Sequence, residues 1–150
     1  MEITAQQVKT LREKTGAGMA DIKKALEESG GNIDKAFGLI EQKLGSAAVK
    51  KATRLTGAGI VEAYIHSNSR IGALVEIFCE TDFVARNPTF KEFAHDIALH
   101  IAAMDPADAQ ILHGQSFVKD PGKTIGDVLN ESIGKFGENM KIGRFVRFEL

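Results

Sequence analysis

The sequence predicts an α+β chain: an N-terminal three-helix bundle, then a small antiparallel three-stranded sheet packed with helices. Three observations carry that prediction. Through the first 45 residues, apolar side chains recur at helical spacing, interrupted twice by glycine-rich turns. Ile60–His66, Ala73–Cys79 and Met140–Leu150 alternate or run apolar as strands do. Charge divides as well. Residues 1–54 hold ten Lys/Arg against seven Asp/Glu, whereas the remainder holds nine against thirteen, so a +3 module precedes a −4 module.

The first helix starts at Thr4, an N-cap whose capping box is completed by Gln7, with Ile3 and Val8 placed as a hydrophobic staple. Val8, Leu11 and Thr15 keep its spacing and Gly16 ends it. After the tight connection Gly16-Ala17-Gly18-Met19, a second helix turns Ile22, Ala25 and Leu26 to one side and stops at Gly30. Asn32 caps a third helix facing inward with Ile33, Ala36, Phe37, Ile40 and Leu44. So small a core would be marginally stable alone. The expected organisation is a helical module at 1–45, a small, polar, basic linker at 46–58 that can begin as helix through Lys51, and a second domain at 59–150.

In the second domain, Val61, Ala63 and Ile65 alternate with Glu62, Tyr64 and His66. Ser67-Asn68-Ser69-Arg70 then turns the chain into the strand ending at Cys79. Asn87 caps a helix that has Pro88 at its first position. Phe90, Phe93, Ala94, Ile97, Ala98, Ile101 and Ala102 form the clearest amphipathic stripe of the chain, which Pro106 stops. Residues 105–123 read as irregular. Thr124 caps a further helix carrying Ile125, Val128, Leu129, Ile133 and Phe136, closed by Gly137. In the closing strand Met140, Ile142, Val146 and Phe148 favour one side, Arg144 interrupts it, and Phe145 and Arg147 point the other way.

Apolar residues make up 43% of the 150 and charged residues 26%, a mix typical of water-exposed globular chains. A net charge of −1 argues against a general nucleic-acid binder, as does the lack of basic–aromatic interleaving. No apolar run approaches the roughly 20 residues that span a bilayer. The single Cys excludes an internal disulfide framework and fits a reducing compartment. The first residues hold neither a basic segment nor an apolar signal core, so a cytoplasmic protein is expected. Gly16-Ala17-Gly18 is no phosphate loop, because no strand precedes it and the Lys-Ser/Thr partner is missing. Cys79, inside an apolar run, reads as an inert thiol. The four histidines lack metal spacing. No enzyme chemistry and no cofactor are expected.

The stretch Cys79-Glu80-Thr81-Asp82-Phe83-Val84-Ala85-Arg86-Asn87 joins a buried strand to the periodic helix. Phe83 there has two readings: a plug beneath the turn, or an exposed wedge held for a partner's pocket, the kind of aromatic anchor that dominates interfaces. Two features favour the wedge. The following helix has its apolar stripe without Phe83, and Asp82 would be costly to bury unpaired.

Ile3-Thr4-Ala5, Val8-Lys9-Thr10-Leu11-Arg12-Glu13-Lys14-Thr15-Gly16-Ala17-Gly18-Met19 and Asp21-Ile22-Lys23-Lys24-Ala25-Leu26 resemble the amino-terminal module of the translation elongation factor Ts family. So do the 79–87 stretch, Phe93-Ala94, Ile101-Ala102-Ala103, Phe117-Val118-Lys119-Asp120, and the ending Gly137-Glu138-Asn139 with Arg144-Phe145-Val146-Arg147-Phe148-Glu149-Leu150. The resemblance implies a ubiquitin-associated-like (UBA-like) first module and a guanine nucleotide exchange factor. The implied partner is the GTPase elongation factor Tu, in its GDP-bound and nucleotide-free forms. It implies contacts from Thr81, Asp82, Phe83 and Val84, with Phe83 wedging near the Mg²⁺ side of the nucleotide site, and from Lys9, Arg12, Met19 and Lys23 of the first module. Longer members insert a second core copy and a helical hairpin where this chain has only about ten residues, from Pro106 to Gln115, so contacts of those parts do not transfer. Ala20 stands where a second Met is common, and Ile22 where a Cys is common. With one core copy, a symmetric homodimer could replace the internal repeat, with an unpaired sheet edge as its interface. The rival reading is a non-catalytic adaptor that has a binding bundle and a dimerising α+β domain.

Overall fold

The computed structural model describes residues 2–150. Its α+β architecture falls into two compact units. One comprises the chain up to Ala52 together with Asn130–Gly137, the other Thr53–Leu129 with Glu138–Leu150.

The first unit is built on α1 (Ala5–Thr15), α2 (Met19–Glu28) and α3 (Ile33–Lys51). The Thr4–Gln7 capping box forms in both directions, and Gly16 ends α1 in the left-handed region at φ 65°. Asn32 caps α3 by accepting from the Lys35 N–H. Val8, Leu11, Ile22, Ala25, Leu26, Ala36, Ile40 and Leu44 close the core, with Ile3, Ile33 and Phe37 packed at its rim. A remote segment completes this unit: a Cβ on Gly134 would lie 2.4 Å from Leu44 Cδ2, so glycine is what lets that helix approach α3.

The second unit contains β1 (Ala58–Ile65), β2 (Ile71–Cys79) and β5 (Lys141–Glu149), antiparallel in the order β1-β2-β5. Helix α5 (Pro88–Met104) covers one face, seating Phe90, Phe93, Ile97 and Ile101 against Val75, Ile77 and Cys79 in a common core. Residues 105–123, expected to be irregular, instead hold the short helix α6 (Ala109–Gly114) and a hairpin of β3 (Ser116–Phe117) with β4 (Asp120–Thr124). Two local causes order them. Asp108 caps α6 through the Ile111 N–H, and Leu112 and Phe117 bury themselves. His100, fully buried on α5, ties the segment down. Its Nε2 lies 3.0 Å from Gln115 Oε1, and its Nδ1 accepts from the Val118 N–H at 3.1 Å. Burial holds this imidazole's pKa below its ordinary value. Helix α7 (Ile125–Phe136) starts with a reciprocal box between Thr124 and Asp127.

The sheet sorts its side chains differently from simple alternation. On β1 the apolar set points outward: Val61 is 67% and Ile65 66% exposed, whereas Glu62 and Tyr64 face α5 half-buried. On β5 a bulge changes the parity. Val75 pairs with Phe145 and Ile77 with Ile142, so two steps on β2 meet three on β5. Ile142 therefore points inward and Val146 and Phe148 outward, although all three are even-numbered. Glu76 anchors the bulge. Its carboxylate accepts from the backbone N–H, Nε and Nη2 of Arg144 at 2.8, 2.8 and 2.9 Å. Those hydrogen bonds, the side-chain ones foremost, hold Glu76 down to about 2. Past the bulge, Arg147 turns inward and caps α5 by donating from Nε to the Ala102 carbonyl. Val61, Ala63 and Ile65, Leu74, and Val146 and Phe148 thus share the open outer face.

Candidate partner-binding corner

Where β2 ends the chain turns sharply into α4 (Asp82–Ala85), a single helical turn. Thr81 is its N-cap, extended at φ −128° and ψ 153°, and its Oγ1 accepts from the Val84 N–H. Two residues past the turn, Asn87 caps α5 by accepting from the Thr89 N–H at 2.8 Å. Both ends of the four-residue helix are therefore pinned: by a strand and cap before it, and by a capped 17-residue helix after it.

Phe83 stands on this corner with 85% of its surface exposed. It is not the plug beneath the turn. That place belongs to Val84 and Ala85, both buried. Phe83, Arg86, Asn87 and Pro88 border an open depression of about 520 Å³. Asp82, beside Phe83, is exposed. Of the expected contact residues in this unit, Thr81, Asp82 and Phe83 reach the surface, whereas Val84 points into the core. Its helical position, one step beyond Phe83, turns it there. Lys9, Arg12, Lys23 and Met19 lie exposed on the first unit. Lys9 stands 3.9 Å from Glu13.

A carboxylate network braces the corner. Glu138 Oε1 accepts from the backbone N–H of Glu80 and of Thr81, each at 3.1 Å, and Oε2 accepts from the Thr81 hydroxyl at 2.7 Å. Glu80 answers by accepting from the Asn139 N–H at 2.9 Å, and Arg54 lies 3.7 Å from the same Glu80 oxygen. Asn139, buried, donates from its amide to the Arg54 carbonyl. Sequence reasoning did not single out Glu138 for this. The partners are 57 and 58 positions apart, and no local pattern pairs them. Cys79 lies beneath, its Sγ donating to the Thr81 carbonyl, and burial pushes its thiol pKa up, with the Glu138 charge adding to the rise. Among the described residues, no group of three or more His, Cys, Asp or Glu could hold a metal ion, and no helix is long and apolar enough to cross a membrane.

The corner thus presents an exposed aromatic above a buried thiol. Comparison with known proteins places the chain in a family. Residues 80–150 match the family model described as elongation factor TS. Among curated proteins, elongation factor Ts of Rubrobacter xylanophilus is 42% identical over 195 aligned positions that take in the whole of both chains. Elongation factor Ts of Carboxydothermus hydrogenoformans is 44% identical, covering 99% of this chain and 89% of its own. That of Desulfitobacterium hafniense is 45% identical with the same coverage. The chain belongs to the elongation factor Ts family, whose members serve translation elongation. The Rubrobacter alignment is longer than this 150-residue chain, so that relative carries residues with no counterpart here.

Proposed function

We propose that this chain is a guanine nucleotide exchange factor for elongation factor Tu, acting in the cytoplasm on both the GDP-bound and the nucleotide-free GTPase. The observation that carries the reading is the 85% exposure of Phe83 on a corner pinned at both ends. A large apolar ring held in water by a stiff backbone leaves most of its surface free to be buried against a partner. In the proposed mechanism the ring enters the nucleotide-binding domain near Mg²⁺, and the metal and phosphate-loop contacts that hold GDP loosen. Asp82 accepts hydrogen bonds from the partner, and Thr81 holds the turn. Val84, being buried, anchors the turn in the core and makes no contact with the partner. Lys9, Arg12, Lys23 and Met19 dock the first unit on the same GTPase.

The energetics are those of linkage. If the factor prefers the empty GTPase to the GDP form, GDP and the factor weaken each other's binding by one common ratio. Each ~1.4 kcal/mol of that opposition is tenfold in affinity.

We further propose that the chain works as a homodimer, and the outer face of its sheet offers an interface besides the unpaired edge. Ile65, Leu74, Val146 and Phe148 leave an apolar surface there, and the Glu76–Arg144 pair beside them satisfies its own charges. A two-fold axis would bring the same apolar patch of both copies together.

Release of a fluorescent GDP analogue from elongation factor Tu, measured with and without this protein over a range of concentrations, tests the reading. Acceleration that saturates supports it. Release at the intrinsic rate throughout rejects it in favour of a simple adaptor.

A further inference from the structure

We propose that Glu138 is a positioning residue for the exchange reaction: its carboxylate pre-sets the direction of Phe83 in the free protein. This inference rests on the exchange function proposed above. It starts from what Phe83 lacks. With 85% of its surface exposed, the ring has almost no packing against its own chain, so only the backbone of α4 aims it. A four-residue helix cannot supply that stiffness alone, because forming a single turn orders several residues for one or two hydrogen bonds. Burial of Val84 and Ala85 seats the turn, and the cap fixes its first residues.

Thr81 is that cap, and its hydroxyl has one proton to place. Donated to Glu138 Oε2 at 2.7 Å, the proton leaves an oxygen lone pair aimed at the Val84 N–H. The other Glu138 oxygen takes the N–H groups of Glu80 and Thr81, which the sheet ladder no longer serves once β2 has ended at Cys79. Hydrogen bonds to an ionised carboxylate are roughly twice as strong as neutral ones. The reverse bond, from the Asn139 N–H to Glu80, prevents the two segments from sliding past each other. Without the Glu138 carboxylate, the Thr81 hydroxyl is free to rotate, the cap opens, and α4 samples directions from which Phe83 cannot enter a partner.

The consequence is specific. If binding requires the aimed conformer, the apparent affinity falls by the fraction of molecules that hold it, while the complex once formed is unchanged. With the GTPase as the varied reactant, Glu138→Ala should raise KM about tenfold, for a competent fraction of about one in ten, and leave kcat within about twofold. Glu138→Gln, which keeps one carbonyl oxygen for the two backbone N–H groups but turns an NH2 donor toward the Thr81 hydroxyl, should restore only part of the loss. Thermal unfolding of each variant establishes that it is folded at the assay temperature. In the free protein, hydrogen exchange at the Val84 amide should accelerate about tenfold in Glu138→Ala, while β2 amides keep their protection. A parental KM, a fall in kcat at unchanged KM, or an unaltered Val84 amide in a folded variant would each overturn the inference. If the parental chain itself fails to release GDP, the exchange function falls, and the Val84 amide still decides whether Glu138 holds the turn.

Discussion

Replacing Phe83 by alanine separates fold from function. Because the ring is 85% exposed, its loss opens no cavity, and stability should stay within about 0.5 kcal/mol, as for ordinary surface sites. The effect on a partner complex follows from the same exposure. A phenylalanine buries at least ~150 Å² when fully enclosed, so roughly 130 Å² is still available for burial. At ~25 cal/mol per Å² that is about 3 kcal/mol, and the methyl retained by alanine returns about 0.8 of it. The remaining ~2 kcal/mol is roughly a thirtyfold change. Stimulation of GDP release should therefore fall at least tenfold. Release of a fluorescent GDP analogue, with thermal unfolding measured on the same samples, is the assay. A folded Phe83→Ala variant that stimulates release at the parental rate would refute the wedge and the reasoning from exposure behind it.

Other consequences concern the scaffold. Gly59→Ala should destabilise the protein by about 1–3 kcal/mol, because the new Cβ would fall 2.3 Å from the Ile77 carbonyl oxygen across the β1–β2 ladder; urea unfolding midpoints measure it. His100, held neutral by burial, contributes stability that is complete above its unfolded pKa of about 6.5 and is lost as pH falls below it. The slope in that range should reach up to ~1.4 kcal/mol per pH unit, and His100→Gln should flatten it in unfolding curves taken between pH 7 and 5. Phe148→Glu should leave the fold intact and convert a dimer into a monomer, read as a halved mass in sedimentation equilibrium; a parental mass would exclude the sheet face as the interface.

The helices were legible in the sequence to within a residue or two at most ends. Thr4, Asn32, Asn87 and Thr124 each stand where a cap is observed, because capping is a bond between a side chain and a backbone N–H two or three positions on. The corner was legible for a similar reason. Asp82 and Phe83 between a strand and a helix make an improbable interior, and the structure leaves both outside. The segment after α5 was misread, because its order comes from Gln115 and Val118 meeting a buried histidine 15 and 18 positions away.

Local chemistry thus determined the longer helices and the three strands of the main sheet, and favoured the surface for Phe83. Which face of the sheet is buried, and what braces the corner, were decided only in three dimensions. A single extra residue in β5 reverses the parity of every side chain beyond it, so composition cannot say that Phe148 faces water while Ile142 does not. Glu138 likewise acquires its role only when β2 and the start of β5 are brought side by side: a carboxylate binds whatever N–H groups the fold sets before it, and those lie more than fifty positions away along the chain.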